Sequence, residues 1–140
     1  MINRKLAEIV KDQNPLMLPK AATVQEACRC MCECRSGSVL VVDDEQHLTG
    51  IFTARDAVRA LAESKQAETA TLEQVMTPNP ITIAPERRAI DALHEMNNRG
   101  FRHLPVVDSG RILGVISRGD FKGMEIDRLD DEEHLWQNIR

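Results

Sequence analysis

Thr53 and Asp56 stand three residues apart, and so do Ser117 and Asp120. A small hydroxyl followed at that spacing by a carboxylate supports two readings. Where a strand gives way to a helix, the hydroxyl caps the first turn, and an acid at the third helical position completes a capping box, although that box prefers Glu or Gln. The same helix end offers free N–H groups and a positive dipole end, so a phosphate can dock there. The carboxylate is then available to vicinal ribose hydroxyls, as acidic residues are in other nucleotide sites. A lone heptapeptide leaves cap and nucleotide corner both open.

Two copies of the pattern shift the balance. Gly50-Ile51-Phe52-Thr53-Ala54-Arg55-Asp56 and Gly114-Val115-Ile116-Ser117-Arg118-Gly119-Asp120 keep the same hydroxyl-x-x-Asp spacing although their spacers differ. The match runs well upstream. Asn14-Pro15 pairs with Asn79-Pro80, Ala27 with Ala92, Met31 with Met96, and Val41-Val42-Asp43 with Val106-Val107-Asp108, all 65 positions apart. The chain is an internal duplication, and the offset changes by one residue in the turn between Asp43 and Gly50, where length changes are tolerated.

The elements that position these motifs follow from hydrophobic spacing. Each half begins with a short apolar piece, Leu16-Met17-Leu18 or Ile81-Thr82-Ile83. A helix is predicted next, with apolar positions Val24, Ala27, Cys28 and Met31, or Ala89, Ile90, Leu93 and Met96, near a period of 3.6. Continuous apolar runs, Val39 to Val42 and Leu104 to Val107, read as strands buried on both faces. A second strand, Leu48 to Phe52 or Ile112 to Ile116, leads into the motif. Another helix then starts, at Ala57-Val58-Ala60-Leu61 or at Phe121 and Met124. The expected fold is α/β (α+β), two β-α-β-β-α repeats over residues 1–64 and 65–124. A unit of that size makes a marginal core alone. Face-to-face packing with pseudo-twofold symmetry solves this, and turns both motifs toward a cleft between the repeats, a favoured place for ligands.

Composition limits the function classes. With 140 residues and 42% hydrophobic side chains, the chain has enough apolar material for one compact domain or a duplicated pair. No apolar run approaches a membrane span, and Met1-Ile2-Asn3-Arg4-Lys5 leads into no signal-peptide core, so a cytoplasmic location is expected, without a membrane. The net charge of −4 comes from the tail: residues 1–124 hold 16 acidic and 16 basic side chains. A neutral body, and only three Phe and one Trp in the whole chain, give neither the basic face nor the stacking platforms of a nucleic-acid binder.

All four cysteines lie in Cys28-Arg29-Cys30-Met31-Cys32-Glu33-Cys34. On a helix only Cys28 with Cys32, or Cys30 with Cys34, share a face, which does not supply the four converging ligands of structural zinc. No metal site is expected. Cys28 is expected to pack as a small apolar residue, with the others partly exposed. His47 and His94 have no ligand partner at metal spacing.

Met76-Thr77-Pro78-Asn79-Pro80, Arg102-His103-Leu104-Pro105-Val106-Val107-Asp108 and the paired Gly-h-h-Thr/Ser-x-x-Asp stretches together resemble the cystathionine-β-synthase (CBS) domain family, as a tandem pair or Bateman module covering nearly the whole chain. The resemblance implies a non-catalytic regulatory module that takes AMP, ADP, ATP or S-adenosylmethionine between its repeats and pairs into a homodimer. No cofactor is required beyond a regulatory adenine nucleotide. Carried over by position, Thr53 with Asp56 and Ser117 with Asp120 hold phosphate and ribose, while Ile81 to Ile83, with Thr82, and Leu104 to Val106, with Pro105, flank the base. Arg55, Arg102, His103, Arg118 and Lys122 are candidate cations for phosphate.

The halves are unequal. The first repeat has Gly37-Ser38 where the second has Arg102-His103, and Lys11-Asp12-Gln13 in place of Met76-Thr77-Pro78. One stronger and one weaker or empty site is expected. Residues 125–140 read as an acidic helical tail whose Leu129, Leu135, Trp136 and Ile139 dock on the protein itself or anchor another protein. The alternative function is therefore a protein-interaction module with vestigial nucleotide sites and a partner-binding tail.

Overall fold

The computed structural model describes residues 4–121. In chain order its elements are α1 (Leu6–Val10), β1 (Met17–Pro19), α2 (Val24–Cys34), β2 (Ser38–Val42), β3 (Leu48–Thr53), α3 (Ala54–Ala62), α4 (Leu72–Val75), β4 (Thr77–Pro78), α5 (Ala89–Arg99), β5 (His103–Asp108) and β6 (Arg111–Ser117). A 3-10 turn, Arg118–Asp120, closes the described chain before Phe121.

The first repeat has the predicted β-α-β-β-α order. Every residue of β2 is buried, as a continuous apolar run at the centre of a sheet requires. β1 lies parallel to it with Met17 opposite Leu40, and β3 antiparallel with Val39 opposite Phe52. Helix α2 starts where the Thr23 hydroxyl accepts the Glu26 amide at 3.1 Å. It ends where Arg35 turns left-handed (φ 52°) and donates its amide back to the last turn. Its apolar edge, Val24, Ala27 and Met31, packs with Val39, Val41 and Phe52. Each such fully buried side chain contributes about 1.5–3 kcal/mol.

The second repeat follows the same plan with one correction. Ile81-Thr82-Ile83 does not form a strand. Only Ile83 bridges, parallel to Val106, donating to the Pro105 carbonyl and accepting from the Val107 amide, each at 3.0 Å. Pro80 and Pro85 border this stretch, and neither has an N–H to extend a ladder. The helix expected at Phe121 and Met124 and the tail over 125–140 lie outside the described residues, apart from the 3-10 turn and Phe121.

The chain forms two compact units that do not follow chain order. Among the described residues, one combines 4–13 with Thr82–Asp108 and 113–121; the other combines Asn14–Ile81 with Ser109–Ile112. Each repeat is thus completed by the segment preceding the other one. In the first unit, α1 supplies Leu6 and Val10 to a core with Ile90, Leu93, Leu104 and Ile116. In the second, α4 supplies Leu72 and Val75 to the core around Phe52. The backbone ties correspond: Leu6 donates to the Arg87 carbonyl at 2.9 Å, and Leu72 to that of Ala22 at 2.9 Å.

The two motif glycines make room for these incoming segments. A Cβ on Gly50 would collide with the Met76 sulfur, and one on Gly114 would lie 2.7 Å from the Val10 Cβ and 2.6 Å from Gln13 Oε1. Beyond Met76 the second unit adds strand β4, with Thr77 opposite Ile51. The first unit achieves a similar pairing with a side chain. The Gln13 amide donates to the Val115 carbonyl at 2.9 Å and accepts the Val115 amide at 2.8 Å, imitating one rung of a ladder. Gln13→Leu removes both bonds and leaves two half-buried backbone groups unpaired. We expect a loss of about 1–3 kcal/mol, measured as a lower urea midpoint.

Candidate functional site

Both motifs fold as a strand running straight into a capped turn, and the cap is the same in each. Thr53 and Ser117 are extended, at φ −118° and −111°. The Thr53 amide donates to Asp56 Oδ2 at 2.9 Å and its hydroxyl donates to the same oxygen at 3.2 Å. The Ser117 amide and hydroxyl do likewise to Asp120 Oδ2, at 2.7 Å and 3.1 Å. Even the first amide of each turn has an equivalent partner. Ala54 donates to the Gly37 carbonyl at 3.2 Å, and Arg118 to the Arg102 carbonyl at 3.0 Å. The cap reading of the hydroxyl-x-x-Asp pattern is therefore realised in both halves.

The corners differ at the second carboxylate oxygen. In the first, Asp56 is 3% exposed, and Oδ1 accepts both the Arg59 guanidinium and the Thr77 hydroxyl, the latter at 3.2 Å. Four donors saturate this carboxylate. In the second, Asp120 is half-buried, and among the described residues nothing is bonded to its Oδ1. Sequence explains the difference. Sixty-four positions on from Arg59 the chain has Gly123, and the stretch corresponding to Met76-Thr77-Pro78 is Lys11-Asp12-Gln13, without a threonine. Arg4 reaches this corner, where its guanidinium donates to the Asp120 backbone carbonyl at 2.9 Å.

Of the ten residues picked out by sequence, Thr82, Ile83, Arg102, His103, Pro105, Ser117, Arg118 and Asp120 fall in one compact unit, and Thr53 and Asp56 in the other. Within the first of these units the main chain connects them: Ile83 to Pro105, and Arg102 to Arg118. Arg102 and Thr82 are exposed, while His103, Ser117 and Arg118 are half-buried. Ile83 and Pro105 are buried, Ile83 packed in the unit's core beside Leu104 and Val106. Thr82 is exposed, as is Ile81 before it. Arg55 is exposed at the start of α3, and Lys122 lies outside the described residues.

Sequence reasoning missed Arg59, Thr77 and Gln13. Arg59 carried a readable signal, because a cation three residues after an acid shares its helix face. Thr77 and Gln13 carried none, since their partners are remote in sequence.

A CBS domain family model matches residues 6–63 and 72–124. The CBS domain-containing protein CBSCBSPB2 of Arabidopsis thaliana is 39% identical over 102 residues, which is 72% of this chain and 19% of that protein. The chain thus spans about a fifth of the length of such curated relatives. Among solved structures, the CBS-domain containing protein ATU1752 from Agrobacterium tumefaciens superposes with a TM-score of 0.79 at 26% identity, covering 86% of this chain and 91% of that one. The CBS domain pair of protein MJ0100, in complex with 5′-methylthioadenosine and S-adenosyl-L-methionine, gives a TM-score of 0.77 at 25% identity, covering 93% and 98%. With the family model on both repeats, the chain belongs to the CBS domain family as a tandem pair.

Proposed function

We propose that this CBS pair is a non-catalytic regulatory module that binds an adenosine-containing ligand chiefly through the Ser117–Asp120 corner. One observation carries the reading: among the described residues no donor meets the second carboxylate oxygen of Asp120, which is held in place by a cap that uses only the other oxygen. A fixed, half-exposed carboxylate of this kind can accept a pair of hydroxyls at little reorganisation cost, which ribose supplies. The adenosine ligands of the MJ0100 pair support the class. Arg102 and Arg118, on the strand end and turn beside Ser117, are the cations available to a phosphate. Thr53 and Asp56 form the weaker site, since Asp56 must give up Arg59 or Thr77 before it can accept a ligand.

Under this reading the protein is a cytoplasmic homodimer, and the ligand acts by favouring one arrangement of the module over another. It can do so only to the extent that its affinity for the two arrangements differs. Isothermal titration of ligand-free protein with AMP, ADP, ATP and S-adenosylmethionine tests the proposal. We expect saturable heat with at least one of the four and one dominant site per chain. Silence with all four overturns it.

A further inference from the structure

Helix α2 carries four thiols at alternate positions, Cys28, Cys30, Cys32 and Cys34, none of them in a disulfide. The fold does not require them. In the twin helix α5 the same positions hold Leu93, Glu95, Asn97 and Arg99, whereas the core residues Ala27 and Met31 are repeated as Ala92 and Met96. Cys28 takes the packing place of buried Leu93 and lies half-buried against the core. Cys30 is also half-buried, and Cys32 and Cys34 are exposed.

Helix geometry sorts the thiols into two pairs. Residues four apart lie over one another with Cβ atoms about 5–6 Å apart, so Cys28 faces Cys32 and Cys30 faces Cys34. Thiols two apart diverge by about 200°. The paired spacing is too wide for a disulfide, which needs Cβ atoms about 3.5–4.5 Å apart. It suits a single ion held between two sulfurs, because thiolate bonds of about 2.3 Å set the sulfurs about 4.6 Å apart in a linear unit. Among the described residues no group of three or more His, Cys, Asp or Glu side chains gathers to hold a metal, so four-coordinate zinc has no site here. Two soft ligands and no third favour a soft ion content with linear coordination, and thiolates select Cu(I).

We propose that α2 binds soft monovalent metal ions on its thiol pairs, one Cu(I) between Cys28 and Cys32 and a second between Cys30 and Cys34. Each ion enters as its two thiols release their protons to solvent, with no change of oxidation state. The Cys28 pair is the tighter, since one of its sulfurs lies against the core and the other remains open for entry. Burial pushes the Cys28 thiol up, and the neighbouring Cys32 adds to that.

The test is an anaerobic titration of fully reduced protein with Cu(I) in competition with bicinchoninate, on three proteins whose folding is compared by circular dichroism. We expect two ions per chain for the parent. The Cys28→Ser/Cys32→Ser variant keeps one intact pair and should hold one ion. The Cys28→Ser/Cys30→Ser variant has the same number of thiols, but its Cys32 and Cys34 face apart, and it should hold none against the chelator. Both variants share the substitution at Cys28, the thiol packed against the core, so a folding defect from that change affects them equally. Equal copper binding by the two variants overturns the proposal, as does a parent that takes no copper from the chelator.

Discussion

Asp120→Ala is expected to weaken adenosine-ligand binding more than a hundredfold, while Asp56→Ala leaves the affinity of the folded protein within a few-fold of the parent. The reason lies in which carboxylate oxygens are already in use. At Asp120, Oδ2 is committed to the Ser117 amide and hydroxyl, and among the described residues no donor takes up Oδ1, the oxygen proposed to meet the ligand. Two hydrogen bonds from ribose to a charged acceptor contribute about 1.5–3 kcal/mol each, so losing them costs at least about 3 kcal/mol, or two decades in Kd. At Asp56 both oxygens already serve the protein. Calorimetric titration of the two variants side by side is the measurement. Equal losses, or a larger loss for Asp56→Ala, would contradict the assignment of the stronger site to the second repeat.

The same two substitutions are expected to rank in the opposite order for stability. Asp56→Ala removes a buried acceptor that satisfies the Thr53 amide, the Thr53 and Thr77 hydroxyls and the Arg59 guanidinium together. The cap alone is worth about 1 kcal/mol. Stranded donors at a 3% exposed site add about 1–3 kcal/mol, for a total near 3 kcal/mol. The Arg59 contribution is small because that side chain is half exposed to solvent, where ion pairs are worth about 0–1 kcal/mol. Asp120→Ala loses a cap at a half-exposed turn and should cost about 1 kcal/mol. Urea denaturation followed by circular dichroism reads both. A midpoint for Asp56→Ala equal to that of Asp120→Ala would show that the saturated carboxylate is not a structural clamp.

Much of this arrangement was legible in the sequence because it depends on local pattern. The alternation of helix and strand around Val39–Val42 and Leu104–Val107 follows from unbroken apolar runs set between segments of helical period. The cap geometry at Thr53 and Ser117 follows from residue type at the end of a strand. What stayed hidden depends on residues distant in the chain or on elements too short to show a period. Helices α1 and α4 have five and four residues, less than the window in which a 3.6-residue repeat can be recognised, and they are held by tertiary packing rather than by their own propensity. Their exchange between repeats has no local signature. The closure of Asp56 by Thr77 spans 21 residues, and the Gln13 rung spans 102. The base-flanking role expected for Ile83 and Pro105 rests on composition, by which an apolar residue suits a ligand face and a core equally well; both side chains are buried.

The exchange of leading segments also sets an order of events during synthesis. Arg4 and Gln13 leave the ribosome before their partners Asp120 and Val115, which lie 116 and 102 residues later. At elongation rates of about 5–20 residues per second, the wait for those partners is about 5–20 seconds. The stretch from Asn14 to Ile81 contains nearly all of its own unit, so it can collapse as soon as it has emerged. Meanwhile the leading segment, with Leu6, Ile9 and Val10 uncovered, trails unpaired beside a finished neighbour. A chain that folds in this order leaves the apolar side chains of its leading segment uncovered until the last strand arrives.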